Sequence, residues 1–312
     1  MDLRQIRALI AVADHQSFSA AARSLHTVQS NVSTHIARLE RELRTSLVDR
    51  ATGKLTQEGE AVVARARRIE DELDAITADI ASMVGEIAGT VRVGVIGTTA
   101  RWFVPALLDR AETRYPKLRL IIVDATTTSL VPQVVEGRLD AALVNLPVSN
   151  PDIDTEPMFE EDRVVVAPLS HPLAEYGSIT LAQLAEFPLL LPPRGTNFRD
   201  VVDTEAAARG IELKTRAEID GVRLLASLAF QGFGAALLPA SAAPSHLQSG
   251  MWKRVPVTDL TRRSVGLVTN RRRSPAAPAR EVRRMIRETI AEVGPLQAGL
   301  YAFDEAGSIG AL

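Results

Sequence analysis

The stretch from Ser17 to Leu43 constrains the fold of this chain more than any other part of the sequence. Its first half predicts a short helix with one apolar face, formed by Phe18, Ala21, Ala22 and Leu25. Its second half repeats apolar residues with the period of a longer helix, at Val32, Ile36, Leu39 and Leu43. Only a tight turn fits between them, so the two helices are predicted to cross steeply and share a small core, as in a helix-turn-helix.

The second of these helices has a polar face that the shared core does not use. Short hydrogen-bonding side chains crowd its N-terminal part, and one arginine follows a turn later: Gln29, Ser30, Asn31, Ser33, Thr34 and Arg38. In a helix-turn-helix this end enters the major groove, where amides and hydroxyls can contact base edges. A helical hairpin whose polar face is merely hydrated would show the same pattern, so this segment alone leaves both interpretations open.

The flanking segments favour the DNA-binding interpretation. Residues 1–13 carry apolar side chains on one stripe and predict a helix that covers the other two. The segment after Leu47 is too short for a helix and has Thr52 and Gly53 at its centre, which predicts a small two-stranded wing. Arg50 and Lys54 lie on this wing, where we expect them to contact phosphates.

This N-terminal region resembles the DNA-binding domain of LysR-type transcriptional regulators. The resemblance rests on MDLRQIRALIAVAD, the SFSAAARSLH run, Gln29 with Val32 and Ser33, Ile36 with Arg38-Leu39-Glu40, Leu47 with Arg50, and Leu55-Thr56 with Glu58-Gly59-Glu60. It implies a winged helix-turn-helix over residues 1–58 that contacts double-stranded promoter DNA. It also implies a homodimer or homotetramer that responds to a small-molecule effector, and it allows RNA polymerase as a further partner.

A long helix follows the wing, and its apolar residues are spaced alternately by four and three positions. They form a narrow seam at Val62, Ala66, Ile69, Leu73, Ile76, Ile80 and Met83. Such a heptad seam is typical of a helix that pairs with another helix. Residues 59–88 are therefore interpreted as a linker and dimerisation helix, with Val62, Ile69, Leu73, Ile76 and Ile80 in the contact. A helix packed on its own domain is the alternative.

Beyond residue 88, apolar strands alternate with amphipathic helices, which predicts parallel pairing in an open α/β sheet. The alternation repeats after residue 161, so we predict subdomain I at 89–161 and 267–294 and subdomain II at 162–266. This half resembles the effector-binding domain of the same family. The predicted fold class is thus multidomain: a winged helix-turn-helix, a long linker helix, and a two-subdomain α/β effector domain over 89–294. Residues 295–312, rich in Gly and Ala, are expected to form a loose tail.

Polar residues follow several of the predicted α/β strands at their carboxyl ends, where open α/β sheets bind ligands. The candidate effector-binding residues are Thr98, Thr99, Thr126, Thr127, Asn145, Arg194, Thr196 and Asn197. Threonine hydroxyls and helix-start amides suit a small anion, with Arg194 as a counter-charge. The alternative is that these residues are ordinary helix N-caps. Crossing segments near 145–148 and 265–269 are the predicted hinge between subdomains.

Composition excludes several other kinds of site. The chain has no cysteine, which excludes disulfides, thiolate metal sites and a cysteine redox sensor. Its five histidines show no metal-ligand spacing, and no nucleotide-binding or hydrolase motif follows a strand, so neither metal, cofactor nor enzymatic activity is expected. The net charge is −2, but basic residues outnumber acidic ones through Leu55.

The sequence also bears on location and on competing functions. No apolar run is long enough for a signal sequence or a membrane span, so the protein is expected to be cytoplasmic. Two competing functions remain open at this level. One is an α/β binding or enzymatic protein with a helical dimerisation segment, and the other is an architectural DNA binder without an effector.

Overall fold

The computed structural model describes residues 1–243 and 250–303. Two compact units divide the chain, the first from Met1 to Val84 and the second beginning at Gly85. The helices of the first unit are α1 (Leu3–His15), α2 (Phe18–Ser24), α3 (Gln29–Leu43) and α4 (Gln57–Met83). These bounds confirm the predicted helix-turn-helix and the long helix after it.

The core of the first unit is the one that the apolar periodicity predicts. Val32, Ile36 and Leu39 on α3 are fully buried, and they pack with residues of α1 and α2. Burial of each such side chain stabilises the fold by about 1.5–3 kcal/mol. The predicted wing is present as a short antiparallel bridge between Val48 and Leu55.

Helix α4 packs on its own unit over only part of its length. Its first turns pack on their own unit, because Ala66 is buried against Ile6 of α1. Further along, the apolar seam is exposed, with 62% of Ile76 and 60% of Ile80 accessible to solvent. The packing on its own domain therefore accounts for only the beginning of the seam.

The second unit contains two sheets. Its helices are α5 (Gly97–Arg114), α6 (Thr127–Val135), α7 (Leu181–Leu184), α8 (Asn197–Ala207), α9 (Val222–Phe230) and α10 (Ala277–Val293). Its strands are β1 (Gly89–Val95), β2 (Leu118–Asp124), β3 (Ala141–Asn145), β4 (Ile153–Glu161), β5 (Arg163–Pro168), β6 (Leu189–Leu191), β7 (Thr215–Glu218), β8 (Ala235–Pro239), β9 (Trp252–Pro256), β10 (Arg263–Asn270) and β11 (Leu300–Ala302).

Strand order defines the two predicted subdomains. The first sheet runs β11-β4-β10-β3-β1-β2 and the second runs β7-β6-β8-β5-β9. In each sheet one strand has a parallel neighbour on either side: β1 pairs with β2 and β3 in the first sheet, and β6 pairs with β7 and β8 in the second. The sequence did not reveal β4, β9 and β11.

The places where the chain passes between the sheets differ from those predicted. It leaves the first sheet after Glu161 and returns to it at Arg263, the first residue of β10. The predicted subdomain boundary at 266/267 therefore falls inside a strand. The predicted hinge at 145–148 is wrong, because this segment joins β3 and β4 within one sheet, and the hinge at 265–269 is wrong because it lies within β10.

The prediction of a loose tail is wrong for the residues that form β11. This strand pairs antiparallel with β4, and Leu300 is buried in the core of the first sheet. Burial of an apolar side chain and a paired edge strand hold this segment in place. Residues 304–312 of the predicted tail lie outside the described residues.

Candidate effector cavity and DNA-binding surface

A cavity of about 360 Å³ lies in the second unit where the two sheets face each other. Loops at the carboxyl ends of β1, β2 and β3 form one wall, and loops after β6 and β7 form the other. Ligands of open α/β sheets bind at such strand ends. The residues lining it are Ile96, Gly97, Thr98, Asp124, Ala125, Thr126, Thr127, Thr128, Asn145, Pro192, Gly195, Thr196, Asn197, Phe198, Asp220, Gly221, Val222, Arg223 and Arg263.

Helices α5, α6, α8 and α9 all begin at this cavity, because the first residue of each lines it. In the described structure, none of these four helix starts is capped by a side chain. Thr126 and Thr196 occupy the N-cap positions of α6 and α8, but their hydroxyls bond elsewhere. The hydroxyl of Thr126 lies 3.0 Å from that of Thr128, and Thr196 donates to the Pro193 carbonyl at 2.8 Å. Ordinary capping therefore does not explain these threonines.

A buried ion pair forms the floor of the cavity. The Arg263 guanidinium is 2.5 Å from the Glu161 carboxylate and donates to the Thr98 hydroxyl at 2.9 Å. Glu161 is 0% exposed and also accepts the backbone N–H of Ser241, at 2.8 Å. Burial lowers the pKa of Arg263, while the charge of Glu161 acts in the opposite direction. Because Ser241 follows β8 of the second sheet, these contacts join the two subdomains at the crossing segments.

A second ion pair spans the cavity. Arg223, in the first turn of α9, lies 2.7 Å from the carboxylate of Asp124, the last residue of β2. Gly97 sits beneath this pair, where a Cβ atom would be 3.1 Å from the Asp124 oxygen and 3.3 Å from Arg223 Nε. A larger side chain at position 97 would press on the pair.

Six of the eight predicted effector residues line the cavity: Thr98, Thr126, Thr127, Asn145, Thr196 and Asn197. Thr99 does not line it, because its side chain is fully buried beneath the start of α5. Arg194 does not line it either; its side chain is 67% exposed and lies 3.9 Å from Asp203 and 3.8 Å from Glu212. The expectation of Arg194 as the counter-charge is therefore wrong.

The sequence reasoning missed the charged residues of the site, Asp124, Asp220, Arg223 and Arg263. Asp124 and Arg263 lie at strand ends, a position that could have indicated that they belong to the site. The sequence around Arg223 gave no such indication, because this residue belongs to a helix whose apolar pattern dominates the segment.

The DNA-binding surface predicted on α3 is exposed. Gln29, Ser30, Asn31, Thr34 and Arg38 face solvent, and Ser33 is half-buried. Ser19 of α2 donates to Gln29 Oε1 at 2.8 Å, which orients that side chain and leaves its N–H groups to face outwards. Asn31 donates to the Thr27 hydroxyl at 3.0 Å.

The two predicted phosphate contacts differ in their surroundings. Lys54 is exposed on the wing. Arg50 instead lies 3.1 Å from Glu40, whose other oxygen accepts the backbone N–H of Leu47 at 2.9 Å. Arg50 therefore also neutralises a carboxylate that fixes the start of the wing.

A winged helix-turn-helix joined to a two-sheet α/β unit with a cavity between the sheets defines a class of protein, the effector-responsive DNA-binding regulators. Two family descriptions match this chain, "Bacterial regulatory helix-turn-helix protein, lysR family" over residues 3–60 and "LysR substrate binding domain" over residues 85–291. The chain belongs to the LysR family. It is a DNA-binding transcriptional regulator with an effector-binding domain, and not an enzyme.

Similar proteins include several that are named for hydrogen peroxide. A probable hydrogen peroxide-inducible genes activator of Streptomyces viridosporus is 32% identical, over 97% of this chain and 94% of its own. The dual regulator OxyR of Escherichia coli K12 is 29% identical, over 93% and 95% of the two chains.

Solved structures show the same architecture. A full-length OxyR variant from Pseudomonas aeruginosa superposes with a TM-score of 0.71 at 26% identity, over 94% of this chain and 95% of that one. CbnR in complex with its target DNA has the same fold, with a TM-score of 0.69 at 23% identity, over 93% and 100% of the chains. Within residues 1–243 and 250–303, no helix is long and apolar enough to cross a membrane.

Proposed function

We propose that this regulator reads promoter DNA through α3 and the wing, and that it responds to a small molecule whose anionic group binds in the cavity between the sheets. The observation that carries the effector part is the convergence of α5, α6, α8 and α9 on one cavity with their first N–H groups uncapped by side chains in the described structure. We also propose that it acts in the cytoplasm, because promoter DNA is its proposed target.

Uncapped helix starts favour an anion for two reasons. Their first backbone N–H groups have no partner within the helix, and the helix dipole adds a partial positive charge at the same end. Elsewhere in the chain the helices α1, α2, α4 and α7 are capped by the side chains of Asp2, Ser17, Thr56 and Thr180, whereas α3 and α10 have no side-chain cap either. What sets the cavity apart is that four helix starts without a side-chain cap meet at one place, where a ligand can use their N–H groups.

The effector we propose is a reversibly bound ligand, and not peroxide acting on a thiol. Peroxide signals reversibly by oxidising a cysteine thiolate. This chain has no cysteine, although several relatives are named as hydrogen peroxide-inducible genes activators. The similarity to those proteins therefore supports the function as a transcriptional regulator. It does not support hydrogen peroxide as the effector.

We also propose that α4 mediates self-association. Its later seam presents Ile69, Ile76, Ile80 and Met83 as exposed apolar side chains, with Leu73 among them half-buried. Such a row on a solvated helix is stabilised by burial against a second copy. Val62 contributes less to this contact, because it packs on the core of its own unit.

A melting-temperature screen of the full chain tests the effector proposal. A ligand that binds only the folded protein must raise its stability, by about 2.7 kcal/mol at a hundredfold excess over Kd. We expect a rise with at least one compound from a panel of small carboxylates, amino acids and phosphates. The rise should be lost in Asn145→Leu and kept in Thr204→Val, since Thr204 is an exposed threonine of α8 outside the cavity lining.

Two results would contradict these proposals. A melting temperature that no compound of the panel changes would count against an effector in this cavity. Footprinting tests the proposal that the protein binds promoter DNA, with the promoter of its own gene and with sites from a genomic selection. The absence of any discrete protected site would contradict it.

A further inference from the structure

The cavity exposes side chains of both signs to a ligand, and the charges come from both subdomains. Asp124 ends β2 on one wall, and Arg223 starts α9 on the other, 2.7 Å away. Asp220 lines the cavity beside Arg223 and is exposed. A ligand that enters between the walls therefore meets two carboxylates as well as a guanidinium.

The second arginine of the cavity is not available to neutralise those carboxylates. Arg263 is 6% exposed, and its charge is matched by Glu161, which is fully buried at 2.5 Å. The remaining side chains, Asp124, Asp220 and Arg223, carry more negative than positive charge. A ligand with only a negative group would suit the helix starts but would bring that group close to two carboxylates without a cation of its own.

A third observation points to a donor on the ligand. The side-chain oxygen Oδ1 of Asn145 is buried at the cavity wall and finds no hydrogen-bond partner within residues 1–243 and 250–303. A buried acceptor without a partner costs about 1–3 kcal/mol, so a ligand N–H that reaches it would restore stability. An ammonium group can bond this oxygen and a carboxylate at once, because it has several N–H donors.

We propose that the effector is an ampholyte of the α-amino acid class. This rests on the proposal above that the cavity binds an effector. The carboxylate of the ligand binds Arg223 and the free amides at the helix starts, and its ammonium group binds Asp124 and Asn145. The ligand thus replaces the direct Asp124–Arg223 pair by two pairs of its own. A volume of about 360 Å³ is near the lower end for ligand pockets and suits a molecule of this size.

The test compares matched ligands on the full chain by calorimetry and melting temperature. The twenty common amino acids are screened first, and the best is compared with the α-hydroxy acid of the same side chain, which keeps the carboxylate and replaces the ammonium by hydroxyl. We expect the amino acid to bind at least tenfold more tightly. In Asp124→Asn we expect this preference to fall to less than about threefold, while Asp154→Asn, an exposed acid that pairs with Arg271 outside the cavity, retains it.

The outcomes separate this inference from the proposal on which it rests. If hydroxy acids or other carboxylates bind as tightly as amino acids, or if Asp124→Asn keeps the preference, the ampholyte assignment is overturned and the effector cavity stands. If only phosphates raise the melting temperature, the ampholyte assignment alone is overturned. If no amino acid, carboxylate or phosphate raises the melting temperature or changes the footprint, both are overturned. The melting temperature of each variant without ligand shows whether it is folded.

Discussion

At the residue scale, Gln29 is the side chain that we expect to contribute most to base recognition. It begins α3, and its Oε1 accepts from Ser19, so its N–H groups are oriented towards an acceptor on a base edge. Gln29→Ala should therefore cost about 1–3 kcal/mol on the cognate site and little on random DNA. Gel-shift titrations on both DNAs measure this difference, and equal losses on the two would contradict a base contact.

Lys54→Ala is the matched comparison, because a phosphate contact carries no sequence information. It should weaken binding to cognate and random DNA about equally and lower the salt slope by about one unit. An unchanged salt slope would argue against the phosphate role of Lys54.

Glu161 illustrates how much one buried charge can matter. Replacing it by Gln leaves the Arg263 guanidinium buried without its counter-charge, and such a loss costs about 3–5 kcal/mol. Glu156→Gln is the control, because Glu156 pairs with Arg287 at the surface, where ion pairs contribute about 0–1 kcal/mol. Denaturant unfolding should show a large shift for the first variant and a small one for the second. Similar shifts for both would mean that the cavity floor is not held by this pair.

At the element scale, the seam of α4 makes a prediction about assembly. Replacing both Leu73 and Ile76 by Glu should place like charges in a helix contact and dissociate the dimer. Ala61→Glu with Ala64→Glu adds the same charge to exposed positions of α4 outside the seam and should leave the assembly unchanged. Sedimentation of the two double variants distinguishes these outcomes, and an unchanged oligomer for the first would remove the seam from the interface.

The elements that the sequence predicted are those with strong periodicity. The apolar spacing of α3 and α4 and the continuous apolar run of β5 each have one physical explanation, burial of a regular face. Strand β4 was missed because its exposed and buried residues do not alternate over its length. Strand β11 was missed because it is only three residues long and depends on a partner strand distant in sequence.

The sequence predicted site residues that lie at the carboxyl ends of strands. It did not predict the residues that pair with each other across the cavity. Thr127 and Asn145 follow directly from the rule that ligands bind at the carboxyl ends of strands. The Asp124–Arg223 pair joins residues far apart in the chain, so no local pattern could reveal it. Arg194 was misassigned for the same reason, because its acidic neighbours Asp203 and Glu212 are contacts of the folded chain.

At the scale of the whole molecule, we expect ligand binding to change how the two subdomains of the effector unit meet. Covalent continuity between the sheets is limited to the crossings after Glu161 and before Arg263 in the described residues. The Asp124–Arg223 pair adds a contact between the subdomains at the cavity. A ligand held by both walls favours one arrangement only through its different contacts in the two states.

The last prediction is that the ligand-dependent change in how the subdomains meet alters the bend angle of the bound DNA. To move the regulator from mostly one state to mostly the other, a ligand must prefer one state by about 5.5 kcal/mol, which two or three charge-assisted hydrogen bonds can supply.

Thr127→Val keeps the shape of its side chain but removes the hydroxyl that accepts from the Asn145 backbone N–H, 3.1 Å away, and so loosens one wall. With the compound that raises the wild-type melting temperature, this variant and Thr98→Val should each lose the ligand-dependent change in DNA bend angle. Thr204→Val, outside the cavity, should keep it. A variant with both cavity substitutions that still shows the full change in bending would mean that the signal enters elsewhere in the protein.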